Sequence, residues 1–312
     1  MAEAGLEPIS MQLWRADPAA FATALFASFK GFGFAVVEDH GLDQDLLGRA
    51  DQTARSFFAL PDADKRAWRV DGGAGARGYT PFGIETAKGA ARPDLKEFWH
   101  VGRDLPPGHP HRAFMADNLW PSRPGGFRAV FTDLYDALDG LGRELLEAVA
   151  LSLDLPRRWF EDRTAHGDSI LRLAHYPPTR PDAPGVRAAA HEDINVITLL
   201  LGAEEAGLEI LSDGRWLPVN PAPGALVVNV GDMLQRLTNH VLPSTTHRVV
   251  NPPPDRCGEA RLSTPFFVHF EPDVEIRSLE SCVGAANPDR YPQPVTANAY
   301  LQQRLIEIGL RA

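Results

Sequence analysis

Residues 191–200 read HEDINVITLL, and the reading of this stretch decides the fold. Val196–Ile197–Thr198–Leu199–Leu200 is apolar and rich in β-branched side chains, the signature of a buried strand. Yet the run opens on His191, Glu192 and Asp193. On a strand, side chains two positions apart share a face. The spacing therefore predicts that His191 and Asp193 project together and that Glu192 points away. One imidazole and one carboxylate at short range leave a third ligand to be found. The candidate is His247 in STTHRVV, at the head of another expected strand that antiparallel pairing could bring alongside.

Outward from this stretch, short strand-like runs recur: SILRLAHY (169–176), LEIL, RWLPVN, ALVVNVG, HRVVN and RLSTPFFVHF, with turns such as SDGR and PAPG between them. That pattern predicts an antiparallel β-core of sandwich or barrel type. Before it come helices. Asp17 and Pro18 make an N-cap and first turn, with Gly31 or Gly33 ending the helix. FAVVE (34–38) reads as a strand, 43–59 as a helix, and 127–153 as the strongest helix, with Gly140 or Gly142 as a place to bend. Residues 71–126 are punctuated by Gly and Pro and predict long loops with short strands. A last amphipathic helix is expected over 296–310, with Leu301, Leu305 and Ile308 on one face. We expect a mainly β chain with flanking helices. It forms one compact unit of two regions, 1–120 and 121–312, with the motif core at about 168–272.

The chain has 312 residues, 44% hydrophobic and 23% charged, enough for a sizeable core. Its formal net charge of -10 argues against general affinity for nucleic acid or an anionic membrane surface. Cys257 and Cys282 sit in no metal-binding pattern, and two cysteines are too few for a disulfide framework. No stretch approaches the ~20 apolar residues of a membrane span. The N-terminus lacks the basic and apolar regions of a secretory signal. The expectation is a cytoplasmic protein acting on a small molecule, with no nucleic-acid or membrane partner; its oligomeric state is not legible.

Two histidines and one carboxylate form the facial triad of non-haem Fe(II) sites, which leaves coordination positions vacant for a cosubstrate and O2. Around that triad the chain resembles a known family. HEDINVITLL, NVGDMLQRLTNHVLPSTTHRVVNP and RLSTPFFVHF, in that order, look like the Fe(II)/2-oxoglutarate-dependent dioxygenases of the isopenicillin N synthase-like class. GFGFAVVEDHGL and RGYTPFG…DLKEFWHVG in the N-terminal half are similar to that family too. The resemblance covers nearly the whole chain. It implies a double-stranded β-helix (jelly-roll) core, with Fe(II) held by His191, Asp193 and His247. It also implies 2-oxoglutarate as cosubstrate with O2, released as succinate and CO2, and oxidation of a small molecule, hydroxylation being the usual outcome. The family's Arg-x-Ser pair, here Arg261 and Ser263, would grip the distal carboxylate. Guanidinium and hydroxyl at i and i+2 suit that task. LRLAHYPP (171–178) matches the strand on which Tyr176 would donate to the cosubstrate. Many members carry Asn two residues earlier, where this chain has Ala174, so one donor to 2-oxoglutarate is absent.

That departure leaves open an oxidase like isopenicillin N synthase, which uses no 2-oxoglutarate. A non-catalytic small-molecule binder on the same fold is a third reading, opposed by the intact triad. Of the other histidines, His240 reads as a surface turn residue, His175 as facing opposite Tyr176, and HPHR (109–112) as a solvated loop. Asp232 reads as a turn residue. GFGF lacks the remainder of a dinucleotide-binding fingerprint. Tyr79, Phe82, Phe98 and Arg172 are candidates for the substrate wall, with core packing an equal account of the aromatics. The identity of the substrate is not legible.

Overall fold

The computed structural model describes residues 5–70, 75–86, 91–180, 183–202 and 207–307. Fourteen strands and eight α-helices are present among them. The strands are β1 (Pro8–Ser10), β2 (Phe34–Glu38), β3 (Gly78–Thr80), β4 (Glu97–Gly102), β5 (Ile170–Tyr176), β6 (Ala188–His191) and β7 (Ile197–Leu201). They continue with β8 (Leu208–Ser212), β9 (Arg215–Pro218), β10 (Leu226–Val230), β11 (His247–Val249), β12 (Arg261–Val268), β13 (Glu275–Ile276) and β14 (Val295–Thr296). A major sheet of eight strands runs β1-β2-β10-β7-β12-β5-β4-β3, and a minor sheet runs β6-β11-β8-β9. All pairs are antiparallel except β1 with β2.

Alternation along the strands builds two layers of core. Phe34, Val36, Val227 and Leu200 turn to the minor sheet, where they meet Leu208, Ile210 and Leu217. Their neighbours Ala35, Val37, Val228 and Leu199 turn the other way, into a larger core with the helices. The central strands are thus covered on both faces, which is why they read as continuous apolar runs instead of alternating ones. The helices are α1 (Met11–Ala16), α2 (Pro18–Phe32), α3 (Gln44–Phe58), α4 (Asp62–Arg66), α5 (Phe127–Ser152), α6 (Glu161–Thr164), α7 (Asp232–Leu237) and α8 (Ala297–Glu307). The 26-residue α5 packs Phe131, Leu134, Leu138, Leu141 and Leu145 into the large core.

Local chemistry sets the helix ends. Asp17 caps α2 by accepting from the Ala20 N–H, and Gly33 ends it with φ 69. A Cβ on Gly33 would lie 2.2 Å from Thr245 Oγ1, so this glycine is needed both for its backbone and for the close approach. Asp43 caps α3. The expected last helix is present as far as Glu307; Ile308 and the end of that expectation lie outside the described residues. In NVGDMLQRL strand β10 ends at Val230, and Asp232–Leu237 form the short helix α7. Short β1 and α1 carry no signal in our sequence reading; β1 is simply three residues placed beside β2.

The opening stretch departs from expectation in one respect. HEDINVITLL is not a single strand. β6 ends at His191 in the minor sheet, and β7 begins at Ile197 in the major sheet. Residues 192–196 carry the chain from one sheet to the other. Asp193 lies in that crossing.

Candidate active site

His191 ends β6, and β11 runs antiparallel beside it with His247 directly opposite His191. The two rings lie 4.4 Å apart between centroids. Asp193 joins them from the crossing. Its Oδ1 lies 3.8 Å from His191 Nε2 and 3.9 Å from His247 Nε2. The sequence argument brought His191 and Asp193 together by strand alternation; the structure brings them together by a turn held from the major sheet. Thr198 on β7 and Asn229 on β10 are register partners, and both donate to Asp193 Oδ2, at 2.5 and 2.8 Å.

The hydrogen bonds assign the tautomers. His191 Nδ1 lies 2.7 Å from the Ala189 carbonyl and His247 Nδ1 3.1 Å from the Thr245 carbonyl. A carbonyl can only accept, so Nδ1 of each ring carries a proton and is the donor. Each Nε2 then presents a lone pair towards Asp193 Oδ1. Burial, then His247, push the His191 imidazolium down to about 4, so the ring is neutral near pH 7. Burial alone would raise Asp193, but His247, His191 and the bonds from Asn229 and Thr198 hold it below its ordinary value. Two imidazole Nε2 atoms and one carboxylate oxygen converge, each backed by a fixed partner on its group's other polar atom. This donor set suits a divalent transition ion with open positions.

The same cavity is lined by Tyr176, Ala174 and Arg172 of β5 and by Arg261, Ser263, Pro265 and Phe267 of β12. Pairing sets Arg261 opposite Tyr176 and Ser263 opposite Ala174. Arg261 is 1% exposed; its Nη2 donates to the Gly202 carbonyl at 3.2 Å, and its guanidinium sits 5.1 Å from the centre of the Tyr176 ring. A buried cation with a hydroxyl beside it is suited to a carboxylate.

Further along β5, Arg172 lies 4.2 Å over the Phe98 ring, and its Nε donates to His100 Nε2 at 2.7 Å. Burial, then Arg172, hold His100 well below its ordinary value, which keeps it an acceptor. Lys96 also lines the cavity and pairs with Asp94 at 2.8 Å and Glu85 at 3.5 Å. Burial opposes ionisation of Glu85, but Arg172 and Lys96 hold its carboxyl well below the usual range.

Of the substrate-wall candidates, Arg172 reaches the cavity and Phe98 supports it from behind. Tyr79 is buried with its hydroxyl on Glu97, and Phe82 is 43% exposed. His175 turns from the cavity to stack on Phe58 and bind Glu97. Glu192 accepts from Thr246 Oγ1 instead of joining the triad. His240 is exposed beside Tyr291. Asp232, read as a turn residue, is 3% exposed at the start of α7 and pairs with Arg304 of α8 at 3.2 Å. Sequence reasoning missed Thr198, Asn229, Lys96 and Glu85. The only available signal for the first two was a polar residue interrupting each apolar strand.

Comparison with known proteins adds the following. Residues 6–123 match the family described as non-haem dioxygenase in morphine synthesis N-terminal, and residues 167–270 match the 2OG-Fe(II) oxygenase superfamily. The chain is 34% identical over 276 residues to the 2-oxoglutarate-Fe(II) type oxidoreductase hxnY of Emericella nidulans, covering 85% of this chain and 78% of that one. It is 33% identical to the proline hydroxylase buaE of Petromyces alliaceus, covering 92% and 93%. Among solved structures, a 2OG-Fe(II) oxygenase family protein of Caulobacter crescentus aligns at TM-score 0.92 with 56% identity, covering 98% of this chain and 100% of that one. A full-length Neurospora crassa protein, solved in complex with alpha-KG and thymine, aligns at 0.86 with 28% identity, covering 98% of each chain.

Proposed function

The chain belongs to the 2OG-Fe(II) oxygenase superfamily, and from that premise we propose that His191, Asp193 and His247 hold its Fe(II) while Arg261, Ser263 and Tyr176 hold its 2-oxoglutarate. It is a non-haem, Fe(II)- and 2-oxoglutarate-dependent oxygenase that uses O2 and acts on a small molecule. Relatives named as 2-oxoglutarate-Fe(II) oxidoreductases and a neighbour solved with alpha-KG favour that cosubstrate over the cosubstrate-free oxidase, and the intact triad speaks against the non-catalytic binder. Family membership also gives the jelly-roll core its name. Among the described residues, no helix is long and apolar enough to cross a membrane.

One observation carries the site assignment: two Nε2 lone pairs and Asp193 Oδ1 face one point in the cavity that also holds Arg261. Held there, iron and 2-oxoglutarate would supply the oxidising power, the 2-oxo acid leaving as succinate and CO2 with one oxygen atom of O2 and the other going to substrate. The residues do the rest. Thr198 and Asn229 fix the unligated oxygen of Asp193, so the other oxygen keeps its aim. Arg261 and Ser263 orient the cosubstrate through its distal carboxylate, with Tyr176 as a further donor. Ala174, 1% exposed and opposite Ser263, leaves that hold to the remaining donors. Phe34, Leu200, Leu208 and Val249 wall the cavity with apolar surface and limit water. Arg172 and Lys96 stand where they can orient the prime substrate, for which we propose hydroxylation of a C–H bond.

The test is anaerobic. Fe(II)-loaded protein is titrated with 2-oxoglutarate and the weak visible charge-transfer band of a chelated 2-oxo acid is followed. A saturable band that is absent in His247→Ala is the expected result. Iron retained by His247→Ala as tightly as by the parent chain would overturn the ligand assignment.

A further inference from the structure

A second group of histidines and carboxylates lies beyond the end of β12. It includes HPHR, whose reading as a solvated loop does not hold for one of its histidines. His111, in a 3-10 turn over Pro110–Ala113, is 7% exposed. Ligand atoms of His111, Glu271 and Asp273 all lie within 4.8 Å of one another. His111 Nε2 is 3.3 Å from Asp273 Oδ1. Glu271 Oε1 accepts from the His166 main-chain N–H at 2.9 Å and lies 3.2 Å from His166 Nδ1. The His109 ring lies 4.9 Å from that of His111 and 4.8 Å from that of His166.

Two features mark this as more than a polar surface. First, His111 is well covered yet presents its Nε2 to Asp273 Oδ1, with the Glu271 carboxylate in the same cluster; its Nδ1, on the other side of the ring, has no hydrogen-bond partner among the described residues. Second, the contact between His111 Nε2 and Asp273 Oδ1 is close yet is not aligned as a hydrogen bond. His191 and His247 likewise face Asp193 Oδ1 without bonding to it, there at 3.8 and 3.9 Å and beyond hydrogen-bond reach. Donors sharing one ion sit in this way, because lone pairs aim at a common point and not at each other. Tetrahedral bonds of about 2.1 Å place two donors about 3.4 Å apart. One imidazole with two carboxylates favours a borderline ion such as Zn2+ over Ca2+ or Mg2+, which take all-oxygen shells.

We propose that His111, Glu271 and Asp273 form a divalent transition-metal site, with Zn2+ the natural occupant, separate from the catalytic triad. The ion would tie the loop after β4 to the chain leaving β12. That joins the N-terminal region to the jelly roll at a point where Asp273 is otherwise exposed to solvent. His166, beside Glu271, is placed to position that carboxylate or to complete the shell.

The test uses Zn2+ alone with the full-length chain stripped of metal. Stoichiometry is measured by calorimetry on the parent, His247→Ala, Asp273→Asn, and the two combined. Two equivalents are expected for the parent, one for each single variant and none for the pair. Asp273 is exposed, so its variant keeps the fold; Glu271→Gln is the second variant and should behave alike. A Zn2+-dependent rise in Tm should appear in His247→Ala and vanish when Asp273→Asn is added. One equivalent in the parent, lost with His247→Ala, would overturn the proposal. So would two equivalents that both survive Asp273→Asn.

Discussion

At the scale of single residues, the polar pair behind Asp193 is the sharpest target. Thr198→Val keeps the shape of the side chain but removes the donor to Asp193 Oδ2. The carboxylate then loses half of what aims it. Iron affinity should fall about 10- to 100-fold, read by equilibrium dialysis, while the circular dichroism spectrum stays unchanged. Arg261→Lys replaces a planar fork with a point charge, so the KM for 2-oxoglutarate should rise about tenfold or more, with a smaller effect on kcat. An unchanged KM would remove Arg261 from the cosubstrate site. The ligand types were legible in the sequence, because a His-x-Asp pair and a distal His have few other uses together. Thr198 and Asn229 were not. Their role depends on the register of β10 against β7, which puts them on one face near the crossing, and no local pattern encodes that register.

At the scale of elements, helix ends were legible where a capping side chain or glycine decides them. Asp17 with Pro18 and Gly33 act within one turn, whereas our sequence reading does not single out the Asp43 cap of α3. The crossing at 192–196 was not legible. Strand β6 and strand β7 are both apolar, and nothing local says that they belong to different sheets. Gly33 links this scale to the site. A Cβ there would press on Thr245, whose carbonyl accepts the hydrogen bond from His247 Nδ1. Gly33→Ala should therefore cost about 1–3 kcal/mol in urea unfolding and also weaken iron binding. Loss of stability with intact iron affinity would show that the strain is relieved away from His247.

At the scale of the whole molecule, the N-terminal region is part of the sheet. β1–β4 supply four strands of the major sheet, on the flanks of β10 and β5. A chain begun at residue 121 would leave both of those edges open, and it should aggregate instead of folding as a smaller oxygenase. Size-exclusion chromatography of that fragment would decide. Acid stability is also set globally. Burial pushes His269 down to about 4, and burial with His247 does the same for His191. Both are neutral when folded and take a proton near pH 6.5 when unfolded. The folded state binds fewer protons, so stability falls as pH drops from about 6.5 towards 4, by up to about 3 kcal/mol per histidine. The Tm of the metal-free protein should trace that fall, and His269→Gln should flatten it.

The triad is drawn from two sheets. His191 and His247 belong to the minor sheet, and Asp193 is gripped by Thr198 and Asn229 of the major one. Any ion bound there is a rivet through the sandwich. When it is in place, the sheets cannot slide past one another without breaking a coordination bond. When it is gone, sliding is opposed by apolar packing, by the chain crossing at 192–196 and by a few hydrogen bonds such as Ala189 N–H to Asp94. Amide hydrogens of β6 and β11 should then exchange faster in step with those of β7 and β10, one seam loosening along its whole length. The rivet also works in reverse: a shear too small to unfold the protein would be enough to pull the donors out of range and stop catalysis first.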